Sequence, residues 1–207
     1  MASTLIHMAV ANEINKELHR DPKCLLLGSM APDMAKLIGE TKVKSHFQDE
    51  NNDLPNLERF LSKYKNNLKD DFVLGYYIHL YTDYIWFNVF MKEFMYKGSI
   101  RTIDGELVEC NEKTYKEYIY NDYTNLNISL MDEYELPIDL FYEGLPYLEN
   151  IITEIPMDRL GLIIDKTGEI LYNAKLHKTL VFDMECIRKF ISLSTDIILT
   201  NIKELDI

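Results

Sequence analysis

Cysteine is scarce in this chain: Cys24, Cys110 and Cys186 are the only three in 207 residues, odd in number and far apart. They form no C-x-x-C pair and no disulfide framework, which excludes a zinc-finger type of site and predicts reduced thiols. Basic residues are also few, 22 Lys and Arg against 34 Asp and Glu, for a formal charge of -12. That balance opposes binding to a nucleic-acid backbone or to anionic lipid. No apolar run approaches the roughly 20 residues that span a bilayer. The opening Met1-Ala-Ser-Thr-Leu-Ile-His-Met has neither the basic nor the apolar region of a secretory signal, and Asn12, Glu13 and Lys16 interrupt the apolar residues beyond it. The expectation is a cytoplasmic protein, without nucleic-acid partners and without stable membrane insertion. A Gly-rich phosphate loop, G-x-S-x-G and H-E-x-x-H are all missing, and neither Cys24 nor Cys110 has an indicated base. Covalent catalysis by a side chain therefore has no support.

What is present suits a single domain. The composition is 47% hydrophobic and 12% aromatic, enough for a sizeable core. The periodicity predicts a mainly α protein, a multi-helix bundle around a buried metal site, with one or two small β-hairpins within residues 100–175. Ser3-Thr4 ahead of Leu5, Ile6, Val10, Ile14 and Leu18 reads as a capped amphipathic helix ended by Asp21-Pro22. Cys24 to Leu27 reads as a short apolar segment entering a turn-rich stretch, Gly28 to Asp33. Residues 41–55 read as largely loop, and Asn56 to Tyr64 as a short helix. Asp70 to Phe94 is apolar around nearly its whole circumference, the mark of a central helix, and Gly75 within it predicts close packing against a neighbour. Asp104-Gly105 predicts a hairpin turn, residues 113–131 a helix, Leu162 to Tyr172 a second hairpin or loop, and Met184 to Leu205 a closing helix. The division expected is a metal-binding core over 1–95, an insertion or lid over 96–180 and the closing helix over 181–207.

His79 and Asp83 stand i and i+4 on that central helix, on one face and one turn apart. A buried carboxylate must be neutralised by a proton, a cation or a metal, and an imidazole beside it favours the metal. Taken singly, Asp33 after Pro32 reads as a helix N-cap, His46 as a solvated loop residue and His7 as a core histidine. His19 suits a helix C-terminus, and His177 lies far from the others. Asp122 and Asn125 read as a solvated polar face, or else as groups orienting a ligand histidine. Tyr76, Tyr77 and Trp86 read as core.

The order of these groups resembles the zinc-dependent phospholipase C family. His7, Gly28-x-x-x-Pro32-Asp33, His46-Phe47 and Gly75-Tyr76-x-x-His79-x-x-x-Asp83-x-x-Trp86 match in sequence across roughly residues 4–90. The resemblance implies that Asp33, His46 and His79 ligate one metal, and that Asp83 bridges to a second, also held by His7. Asp83 then has the catalytic role, and zinc or another divalent transition metal activates a water. The family's amino-terminal ligand would correspond to Ala2 after loss of Met1. A third-metal histidine is replaced by Val89, so one or two ions are expected. The implied activity is hydrolysis of a small phosphoester or phospholipid. The alternatives are a nucleotide phosphohydrolase of the HD type, although no His-Asp dipeptide occurs, and a non-catalytic protein with a structural metal.

Overall fold

The computed structural model describes residues 2–49 and 52–207. The protein is mainly α with one small antiparallel sheet, as the periodicity predicts. Helix α1 (Thr4–Leu18) is capped by the Ser3 hydroxyl, which accepts from Ile6 N, and ends at His19 in the left-handed region. Helix α2 (Pro22–Met30) is capped by Asp21 and has proline in its first turn, where the missing N–H costs nothing. A 3-10 turn (Ala31–Asp33) leads into the single turn α3 (Met34–Leu37), and α4 (Lys42–Ser45) is another single turn. Then come α5 (Leu57–Tyr64) and the central α6 (Asp71–Asn88), capped by Asp70. Residues 41–49 and 52–55 are loop apart from α4, as expected; residues 50 and 51 of that stretch, like Met1, lie outside the described residues.

Two expectations need correction. The segment from Cys24 to Met30 is helix, with Gly28 and Ser29 inside it rather than in a turn. Gly28 lies against the Phe72 carbonyl and Gly75 against the Leu25 carbonyl, so a Cβ on either would overlap the opposing backbone. Gly28 is therefore the residue that lets α2 cross α6 at backbone contact, and the close packing expected of Gly75 is this same crossing. Leu162 to Tyr172 is also helix, α8 (Gly161–Tyr172), neither hairpin nor loop. Lys166-Thr-Gly168 has turn-like composition, but Ile163 and Thr167 lie one turn apart and both are buried, and tertiary burial outweighs the local preference.

The sheet follows α6: β1 (Met95–Tyr96), β2 (Ser99–Arg101) and β3 (Leu107–Glu109) run antiparallel in that order, with Ile100 paired to Val108 and fully buried. Asp104-Gly105 lies in the expected hairpin turn, a loop over 102–106 closed by Thr102 N donating to the Glu106 carbonyl at 2.8 Å. Helix α7 (Glu112–Glu133), with an Asn111 capping box, and α9 (Met184–Glu204) complete the bundle. Ile119, Tyr123, Leu126 and Leu130 of α7 join the same core as α1, α6 and α9. Tyr76, Tyr77 and Trp86 are buried in it as predicted. Among the described residues no helix is long and apolar enough to cross a membrane.

Candidate metal centre

Five predicted side chains meet at one place between α1, α2 and α6. Helix α1 points His7 into the core, and α6 supplies His79 and Asp83 from one face; all three are fully buried. Asp33 stands at the junction of the 3-10 turn with α3, where it makes no capping bond of its own, so its carboxylate is available to turn inward. His46 follows α4 immediately and is buried. Phe47 then takes φ +54° and packs edge-on against Phe60, Tyr64 and Tyr76, which carries the chain away from the centre.

The ring orientations are set by fixed partners. His79 Nδ1 lies 2.7 Å from the Ser29 carbonyl oxygen, which can only accept, so Nδ1 carries the proton and Nε2 presents a lone pair. His46 Nδ1 lies 2.9 Å from Ser45 Oγ, and the Ser45 carbonyl accepts from Tyr76 Oη at 2.6 Å, so the loop is tied to α6. His46 Nε2 and His79 Nε2 are 3.2 Å apart. Asp33 Oδ1 stands 3.6 and 3.8 Å from those two nitrogens, and Asp83 Oδ2 stands 3.5 and 3.7 Å from them. A tetrahedral ion with ligand arms of about 2.0–2.2 Å has ligand–ligand edges of about 3.3–3.6 Å. The observed set approaches those edges.

On the other side, His7 stacks on His79 with ring centroids 3.7 Å apart and planes 11° from parallel. His7 Nε2 lies 3.3 Å from Asp83 Oδ1, which also accepts from Ala2 N at 3.0 Å. Among the described residues, both His7 ring nitrogens and Asp83 Oδ2 are buried without a hydrogen-bond partner. Such orphaned atoms are costly unless a cation satisfies them, so the donor set fits a metal. Two overlapping triads result, His7–His79–Asp83 and Asp33–His46–His79, each with ligand atoms within 4.8 Å of one another.

The electrostatics agree with ligation. Burial opposes ionisation of Asp83, but His7 and His46 outweigh it and hold its carboxyl well below the usual range. Burial likewise opposes ionisation of Asp33, and Lys42 with the two imidazoles outweighs it. Burial, then His7, keeps His79 neutral well below its ordinary value.

Other expectations fare differently. Asp122 is neither solvated nor beside a ligand histidine: it is fully buried, and its carboxylate accepts from the amides of Leu180, Val181 and Phe182. Asn125 is buried too and donates to the Lys178 carbonyl. His19 and His177 are exposed, away from the centre. Unforeseen was Lys42, whose ammonium contacts Asp33 Oδ1 and lies 3.3 Å from His46 Nε2. Its position one turn before His46 was the available signal. Beside the centre opens a cleft of about 330 Å³, reaching Ala2 and Asp33 and walled by Leu37, Tyr123, Asn127 and Ile163. Lys36 and Lys166 are among its lining, and the buried Asn127 Oδ1 has no hydrogen-bond partner among the described residues.

Compared with family models, curated proteins and solved structures, the chain matches none.

Proposed function

We propose that the protein is a metal-dependent phosphoester hydrolase of the zinc-dependent phospholipase C type, acting on a small soluble phosphoester. The observation that carries this reading is the set of buried atoms without a hydrogen-bond partner among the described residues, His7 Nδ1 and Nε2 with Asp83 Oδ2, in a cluster that His46 and His79 share. His7, His79 and Asp83 would hold a divalent ion, with Asp33 and His46 standing beside it. Such an ion supplies Lewis acidity that makes water a usable nucleophile near neutral pH and offsets charge building on phosphate. Asp83 would serve both as ligand and as acceptor orienting the attacking water. The Ser29 carbonyl keeps His79 in the ligating tautomer.

The cleft supports the substrate class. Lys36 and Lys166 favour an anion, unlike the acidic surface at large, and the volume suits a compact ester group better than two acyl chains. A cytoplasmic location belongs to the same reading, supported by three unpaired cysteines. A buried cluster of five side chains, four of them enough for a closed tetrahedral site, also suits a structural ion, and this is the second reading.

The test is hydrolysis by protein loaded with zinc, cobalt or manganese, over p-nitrophenyl phosphate, bis-p-nitrophenyl phosphate, nucleoside monophosphates and a short-chain phosphatidylcholine. Turnover of a compact ester that disappears in Asp83→Asn supports the proposal. Stoichiometric metal without turnover of any ester favours the structural reading.

A further inference from the structure

The two triads share one imidazole nitrogen, and they differ in what already faces them. On the His7 side both His7 ring nitrogens are buried and, among the described residues, without a hydrogen-bond partner, while Asp83 Oδ1 beside them accepts from Ala2 N. On the Asp33 side a cation is already in place. Lys42 stands i-4 to His46 on α4, so both side chains leave the same face. Its ammonium touches Asp33 Oδ1 and lies 3.3 Å from His46 Nε2, and its side chain is only 10% exposed. The Asp33 lone pair and the His46 lone pair that a second metal would need are those the ammonium meets.

Resting on the metal-centre reading, we propose that Lys42 replaces a second metal ion, so that the centre holds one transition metal beside a tethered ammonium. The ion sits on the His7, His79 and Asp83 side. Charge favours this arrangement. The carboxylates of Asp33 and Asp83 are balanced by one divalent ion, and the ammonium leaves a single surplus positive charge for an anionic ester. A second divalent ion beside that ammonium would leave three, in a buried site where like charges repel strongly. Lysine serves here as a compact point charge on a flexible stem, able to follow a phosphate oxygen.

The experiment is metal stoichiometry. Full-length wild type, Lys42→Met, Lys42→Arg and Lys44→Met are dialysed against buffered Co2+, then measured by elemental analysis and by electron paramagnetic resonance during Co2+ titration. The expected result is one ion per chain in wild type, Lys42→Arg and Lys44→Met, and two in Lys42→Met. In Lys42→Met the resonance signal should rise to one equivalent and then fall as a coupled neighbour binds. Lys44 is exposed and separates a general charge effect from the tethered one. Should Lys42→Met lose its helical circular dichroism, Lys42→Gln carries the same comparison. Two ions in wild type, or one in the uncharged variants, overturns the proposal while leaving the hydrolase reading intact. A second ion in Lys44→Met also overturns it. No bound ion in wild type overturns both.

Discussion

Asp83 and Asp122 are both fully buried carboxylates on long helices, yet their surroundings differ in kind. Asp122 accepts three backbone amide protons from Leu180, Val181 and Phe182, so its charge is met by neutral donors and its task is to pin that segment to α7. Burial, partly offset by those amides, pushes its carboxyl above the usual value. Asp83 has one amide on Oδ1 and, among the described residues, no hydrogen bond on Oδ2, with three imidazoles around it. Burial alone therefore marks no metal site. The difference between the two lies in the lone pair of Asp83 Oδ2 left without a hydrogen bond among the described residues.

The sharpest way to break this comparison is Asp83→Asn against Asp122→Asn. The first should abolish metal-dependent hydrolysis and weaken metal binding at least ~100-fold, while the second should keep its metal; elemental analysis and steady-state rates check both. Next is the metal-linked shift in melting temperature. At a free ion concentration ~100 times Kd, the ion adds about 2.7 kcal/mol, or about 5–10 °C for a chain of this size. Differential scanning fluorimetry with and without a chelator should show that shift in wild type and Asp122→Asn, and none in Asp83→Asn.

A smaller effect separates the two variants in metal-free protein. Asp122→Asn leaves three amides facing one acceptor oxygen and a repelling NH2, and should cost about 1–3 kcal/mol in urea denaturation. Asp83→Asn should instead remove part of the stability lost on acidification, because the ionised carboxylate that His7 and His46 favour in the folded state is gone. The smallest effect is in pH. Burial lowers the pKa of folded His79 below its ordinary 6.5, so the unfolded chain takes up that proton first, and metal-free stability should decline as pH falls below about 6.5. Asp33 and Asp83, with lowered values, contribute stability that is lost only further down, as pH falls below their ordinary 3.8. Stability unchanged between pH 7 and 5 would mean that His79 is not held neutral by burial.

The legible parts of the sequence were those whose partners lie within one helix turn. His79 and Asp83 declare a shared face by spacing alone, and the apolar residues around them declare its burial. His7, Asp33 and His46 each had an ordinary explanation in isolation, and only their order, through the family resemblance, joined them. The errors arose where the deciding partner is distant. Gly28-Ser29 looks like a turn until the Phe72 carbonyl demands a residue without Cβ. Asp122 looks solvated until the amides of a segment 58 residues later are brought to it. Lys42 looks like any lysine in a polar stretch until the fold presses it against Asp33. In α8 the lysine and glycine near its middle masked a helical face that packs toward Met30.

The crossing of α2 and α6 has a consequence for how this protein can vary. Because main chain rests on main chain at Gly28 and Gly75, the gap between the Ser29 carbonyl and the His79 ring is gauged by peptide units rather than by any adjustable side chain. Drift among the surrounding leucines and aromatics can reshape the outer bundle while that gauge holds. Replacement of either glycine would instead wedge the helices apart and detune the imidazole before the rest of the fold took notice.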